Sequence, residues 1–323
     1  MKDSIVRDES LSNIQPGEDA PRILFLGTSG AFSVPPLVAL LDAGVTVCAV
    51  VVPSPKGPHA APAIKYAPDA SERRRLPMAQ SFTERTIAQI AWEQRIPVVE
   101  VGRLSRQDAL DTLAAFHAHA LCVACFPQRI PEPLLHLPLG ALNLHPSLLP
   151  AYRGPAPGFW VLRNGEQFTG ATVHLMDERF DAGDILLQEE FEIPEGITSA
   201  ALEQSSADVG APLMVRALRV LANGTARPSK QDEQRASYYS WPREEDFIVP
   251  TTRPARWAFN FIRGVASWEW LPELQINHER FAISEALDYQ AEGALGQPFQ
   301  RQGQELWAQC APGVLHVLLD EKY

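Results

Sequence analysis

Arg22-Ile23-Leu24-Phe25-Leu26 is a short apolar run, and it stops at Gly27-Thr28-Ser29-Gly30. A run of that length closed by glycines predicts a buried strand that leaves its sheet through a tight turn. Residues 34–41 then carry a helical pattern, and residues 45–52 form a second apolar, β-branched run that predicts another buried strand. Strand, turn, helix and strand in that order predict a parallel sheet with crossover helices. The end of the first strand is where such a sheet presents backbone N–H groups to a ligand. The turn lacks the GxGxxG spacing, and no acidic residue is placed for a ribose. A tight strand-to-helix turn therefore explains it as well as a dinucleotide site does.

The alternation continues outward. Residues 53–77 are rich in Pro and Ala, include Arg73-Arg74-Arg75, and read as a long surface loop. Residues 83–95 resume a helix, Pro97-Val98-Val99-Glu100 a strand, and residues 105–117 a helix capped by Ser105. Residues 120–126 and 141–145 are further strands. A helix follows at 158–162, strands at 171–175 and 185–191, and a longer helix at 199–222. Residues 223–234 are polar, with Gly, Pro and Lys, and read as a linker. Beyond Ala236 the texture changes: one helix at 254–262 precedes short strand-like runs around Phe281, Leu306 and 314–319. At 323 residues two domains are expected. The expected organisation is a loose tail over 1–20 and a Rossmann-like α/β domain over 21–223. A linker at 224–236 then leads to a small β-rich domain over 237–323.

Composition narrows the function classes. The hydrophobic fraction of 46% suffices for a sizeable core, and no apolar run reaches the roughly 20 residues of a membrane span. The first twenty residues lack an apolar core of signal-peptide type, so a cytoplasmic location is expected. Cys122 and Cys125 form a CxxC on a predicted strand, where positions three apart face opposite sides, which favours core packing over metal or redox chemistry. The formal charge of −11 disfavours a nucleic-acid binder, although a local basic patch is compatible with it. No obligatory protein partner is inferred.

The chemistry lies in Asn143-Leu144-His145-Pro146-Ser147-Leu148-Leu149-Pro150-Ala151-Tyr152-Arg153-Gly154. Asn143 and His145, two apart at the end of a predicted strand, point to the same side. That end of an α/β sheet is where ligands bind. An amide and an imidazole side by side there can donate to one oxygen, as stabilising a tetrahedral oxyanion requires. Read from composition alone, the plainer reading is preferred, with Asn143 a turn cap and His145 a satisfied strand-end histidine.

The string resembles the signature of the 10-formyltetrahydrofolate-dependent formyltransferases, whose Asn-x-His pair is joined downstream by an Asp in a D-x-G context. Here that residue is Asp181 of Phe180-Asp181-Ala182-Gly183, 38 residues after Asn143. The resemblance implies catalysis by Asn143, His145 and Asp181, with Asp181 holding a protonated His145, and no metal. It implies folate contacts from Phe126, Gln128, Arg129 and Ile130, largely through backbone groups, and from Ser147, Leu148, Leu149 and Pro150. It leaves Gly27, Thr28, Phe32, Arg153, Gly154 and His174 as candidate substrate contacts, His174 being equally a strand-face histidine. The C-terminal region resembles, more faintly, the OB-like β-rich domain of methionyl-tRNA formyltransferase-like members.

The implied co-substrate is 10-formyltetrahydrofolate and the acceptor a primary amine. Methionyl-tRNA is the leading acceptor, gripped through Arg73, Arg74 and Arg75. Residues 227–323 carry ten Lys and Arg against fourteen Asp and Glu, a net of −4, which is poor for RNA. A small amine such as an amino-sugar nucleotide therefore stays open, as do a formate-releasing hydrolase and a non-catalytic folate-binding protein.

Overall fold

The computed structural model describes residues 21–67 and 85–320. The expected tail over 1–20 and the Arg73-Arg74-Arg75 foothold lie outside the described residues.

The opening run forms β1 (Arg22–Gly27), with every residue after Arg22 buried. A 3-10 turn at Ala31–Ser33 leads into α1 (Val34–Asp42), whose first turn accepts Pro35 and Pro36 because a helix start needs no N–H there. Then come β2 (Thr46–Pro53), β3 (Ala63–Lys65), α2 (Ile87–Glu93), β4 (Val98–Val101), α3 (Gln107–Ala114) and β5 (Ala120–Ala124). After α4 (Glu132–Leu135) follow β6 (Ala141–His145), α5 (Pro157–Asn164), β7 (Phe168–Leu175), β8 (Ile185–Glu192) and α6 (Ser199–Ala222). The eight strands form one sheet in the order β3-β4-β2-β1-β5-β6-β7-β8.

Two expectations need correction. The sheet is parallel across β4-β2-β1-β5-β6, but β3, β7 and β8 run antiparallel to their neighbours. An apolar run records burial and not direction, so the switch at β7 left no mark in the pattern. The third helix starts at Gln107 with Arg106 as its N-cap, and Ser105 makes no cap. Arg106 instead pairs its guanidinium with Asp108 in the first turn.

Helices cover both faces of the sheet. Phe25, Leu142 and Leu144 pack with α1, α2 and α6 on one side, and Leu24, Leu121 and Val123 with α3 and α4 on the other. α6 comes close to β6 at Gly210, where a Cβ would lie 2.5 Å from a Leu144 methyl. Leu144 is thereby fixed toward α6, and its strand neighbours Asn143 and His145 face away from that helix.

The chain then forms β9 (Ile248–Pro250), α7 (Ala255–Val265), β10 (Glu273–Ile276), β11 (Glu279–Gln290), β12 (Phe299–Gln302), β13 (Glu305–Gln309) and β14 (Val314–Leu319). These strands make a second sheet, β12-β13-β14-β11-β10-β9, antiparallel except at β9–β10. Its core takes in Phe159 and Leu162 of α5 beside Phe247, Phe261 and Leu315. Each such large apolar side chain contributes about 1.5–3 kcal/mol by burial. The second core is thus built partly from a helix of the first half of the chain. Among the described residues no helix is long and apolar enough to cross a membrane.

Candidate active site

β6 carries Asn143 and His145, and the antiparallel register sets His174 of β7 opposite Asn143 and Thr172 opposite His145. His174 is 1% exposed, its Nδ1 lies 2.8 Å from the Leu175 carbonyl, and its Nε2 lies 3.2 Å from Asn143 Nδ2. A carbonyl only accepts, so Nδ1 carries the proton and Nε2 accepts from the Asn143 amide. Burial holds the His174 pKa down to about 4, against the opposing pull of Asp181, and keeps the ring neutral near pH 7. His174 therefore decides which end of the Asn143 amide presents N–H, and it leaves one of the two amide hydrogens for another acceptor.

The loop after β6 is clamped from below. Thr172 Oγ1 donates to the Ser147 carbonyl (2.6 Å) and accepts from Leu149 N–H (3.2 Å), while Gln188 Nε2 donates both to it (2.7 Å) and to the Leu149 carbonyl (2.9 Å). The buried Ser147 hydroxyl is taken by the Ala151 carbonyl at 2.8 Å. The Leu149–Pro150 peptide bond is cis. Tyr152 has φ +61°, which turns its carbonyl to 2.9 Å from His145 Nε2, and its N–H donates to Ser237 Oγ.

Asp181 closes the site from the loop between β7 and β8. Its φ of +54° lies in the left-handed region, which costs about 1–2 kcal/mol for a residue with a Cβ. One carboxylate oxygen, Oδ2, accepts from Gly154 N–H at 2.9 Å. The other, Oδ1, lies 3.6 Å from His145 Nδ1 and 3.9 Å from His174 Nε2. His145 thus has an acceptor oxygen off each nitrogen. Two glycines allow the approach. A Cβ on Gly183 would sit 1.8 Å from the Leu175 carbonyl, and one on Gly154, at φ +117°, 2.0 Å from the Tyr239 carbonyl.

The remaining sequence-predicted residues separate into groups. Gln128, Arg129 and Ile130 line a cavity of about 760 Å³ beside Gly102, Arg103 and Glu178, at the carboxyl ends of β4 and β5. The Gln128 side chain is spent on Leu104 N–H (2.7 Å) and the Gly102 carbonyl (3.1 Å), and Arg129 donates to the Glu178 carbonyl. Phe126 packs on the core at that end of β5. Leu148, Leu149 and Pro150 line a second cavity of about 430 Å³ with Gln188, Glu190 and Arg235. Six of the residues grouped as folate contacts therefore line two separate cavities, and Phe126 and Ser147 line neither of these. At the end of β1, Thr28 N–H donates to Ser33 Oγ, which donates to the Ala124 carbonyl, and Phe32 is buried. Cys122 is buried and Cys125 exposed, with burial pushing the Cys122 thiol up to about 12.

Arg153 turns toward the segment read as a linker. Its guanidinium reaches Gln231 Oε1 (3.1 and 2.8 Å) and Glu233 (3.0 and 3.2 Å). Gln231, buried, was missed by the sequence reading, since a polar stretch with Gly and Pro gives no sign that one of its amides is packed inside. The neighbouring rings stack, Tyr152 on Tyr239 at 5.5 Å and Tyr239 on Trp160 at 4.7 Å.

An amide N–H, an imidazole and a carboxylate thus converge at the carboxyl end of β6. Such a set can stabilise an oxyanion and move a proton. The sequence matches the formyl transferase family over residues 24–218. It is 39% identical over 249 residues to a methionyl-tRNA formyltransferase of Acidobacterium capsulatum, covering 76% of this chain and 74% of the relative. A methionyl-tRNA formyltransferase of Pelobacter propionicus is 30% identical over 296 residues, or 91% of this chain and 86% of that one. The fold is similar to a sugar 3N-formyl transferase solved with dTDP and 5-N-formyl-THF, with a TM-score of 0.64, 17% identity, and coverage of 95% of this chain and 100% of that one.

Proposed function

This chain belongs to the formyl transferase family, and from that membership we infer that it transfers the formyl group of 10-formyltetrahydrofolate to the primary amine of methionyl-tRNA. The observation that carries the reading is the convergence of Asn143, His145 and Asp181 across two loops and a strand end. The neutral amine attacks the formyl carbon. Negative charge gathers on the formyl oxygen, where the free N–H of Asn143 and the imidazole of His145 stabilise it. Asp181, with Oδ1 toward the imidazoles, takes part in moving the amine proton to the departing folate nitrogen, and the products are the formamide and tetrahydrofolate. The cavity bounded by Gln128, Arg129 and Ile130 is assigned to the pterin, which those residues meet through backbone because their side chains are engaged elsewhere.

The finer assignments rest on the same inference. The catalytic unit spans 21–223, the linker 224–236 and an OB-like unit 237–323, and the protein acts in the cytoplasm. Arg73, Arg74 and Arg75 supply the tRNA contact, since residues 227–323 are net acidic. That acidity also favours a second reading, in which the acceptor is a small amine.

Incubation with 10-formyltetrahydrofolate and methionyl-tRNA, an amino-sugar nucleotide or no acceptor, following tetrahydrofolate release, separates these readings from a hydrolase. Methionyl-tRNA is expected to support the fastest release. His145→Ala and Asp181→Asn should each lower turnover at least about a hundredfold, as loss of an oxyanion-stabilising group does. Near-wild-type turnover in either variant contradicts the mechanism.

A further inference from the structure

Asp181 holds a left-handed backbone, which a residue with a Cβ keeps only when its surroundings enforce it. The restraint comes from beyond α6. Gln231 Nε2 lies 2.8 Å from the Asp181 carbonyl and 2.7 Å from the Gly183 carbonyl, so one amide nitrogen bridges the backbone on both sides of Ala182. Its Oε1 accepts from Arg153 Nε at 3.1 Å and Nη2 at 2.8 Å. Carbonyls only accept and a guanidinium only donates, so the partners fix the amide orientation. Gln231 is 9% exposed, and water competes little for these bonds.

Arg153 belongs to the loop whose next residue, Gly154, donates to the Asp181 carboxylate. Gln231 therefore ties together the segment that grips the carboxylate and the segment that carries it. Glu233 completes the clamp through Arg153 and Arg179, at 3.0 and 3.3 Å.

We propose that Gln231 is a positioning residue of the formyl-transfer centre, holding the Asp181 loop so that Oδ1 faces His145, and that the segment after α6 is thereby part of the active site. The proposal rests on the function inferred above. It acts without touching substrate, so its signature is a loss of turnover transmitted through Asp181.

The test uses the full chain, with Gln231→Ala and the similarly shaped Gln231→Met, each alone and combined with Asp181→Asn. Tetrahydrofolate release is measured with 10-formyltetrahydrofolate and methionyl-tRNA, and folding by thermal melting. Misplacement of a catalytic group by about 1 Å costs up to about a hundredfold, and both single variants should lose at least about tenfold in kcat. KM for either substrate should stay within about threefold. In the Asp181→Asn background the Gln231 substitutions should cost nothing further, because the group they position is already disabled. Losses that multiply in the double variants, or full kcat in Gln231→Met, overturn the proposal. Full turnover in Asp181→Asn alone overturns instead the reading of the site on which it rests.

Discussion

His174 is buried with its proton on Nδ1, and folding keeps it neutral down to about pH 4. The unfolded chain takes up a proton near pH 6.5, so between these values it binds more protons than the folded one. Stability then rises with pH through this window. The contribution is full above about 6.5 and is lost as the pH falls toward 4. Between pH 7 and pH 5 the loss from this one group is about 2 kcal/mol. His174→Gln can still accept from Asn143 and donate to the Leu175 carbonyl, and it removes the titration. Urea unfolding at the two pH values should show the variant losing about 2 kcal/mol less than the wild type, and equal losses would refute the assignment. At this scale the sequence was partly legible. Asn143 and His145 could be placed on one face from the two-residue period alone. Asp181 needed the family resemblance, because its partners come from a different loop. Gln231 could not be found, since nothing in a polar stretch distinguishes a buried amide from a hydrated one.

The loop between β7 and β8 is also tied to β7 through backbone. Leu175 N–H donates to the Asp184 carbonyl, and Gly183 passes within a distance of Leu175 that excludes any side chain. Gly183→Ala forces the loop off β7 and moves Asp181 from His145. The expected result is a fall in kcat of about a hundredfold with folate binding largely kept. Folate binding can be followed by fluorescence titration, and an active Gly183→Ala enzyme would show that the loop has room to give. The central strands were legible as elements because burial on both faces turns them into unbroken apolar runs, as in β5, where all five residues are buried. The antiparallel direction of β7 and β8 was not, because direction is decided by loop lengths and packing partners. Nor was the start of α3, where the Arg106–Asp108 pair took the place of a serine cap.

The two sheets share material: α5 stands in the first half of the chain and packs Phe159 and Leu162 into the second core. The chain is acidic throughout, with an overall −11 and a net of −4 over residues 227–323. An enzyme that takes tRNA through Arg73, Arg74 and Arg75 should lose kcat/KM steeply as salt rises, since each neutralised phosphate adds to the slope. Replacing all three with Ala should raise KM for methionyl-tRNA and flatten that slope, with kcat at saturation changed less. An unaltered salt response would remove the tRNA contact from these residues. The division into an α/β half and a β-rich half was visible in the texture of the sequence, whereas the tie between them was not, because it is made by side chains far apart along the chain. That tie also sets an order of events during synthesis. Tyr152 N–H finds its partner in Ser237, 85 residues later. At about 5–20 residues per second, the nascent chain waits roughly 4–17 s between making the two. Until Ser237 has left the ribosome, Tyr152 N–H has water in place of its partner, and the loop after β6 gains this bond only once the segment after α6 has been made.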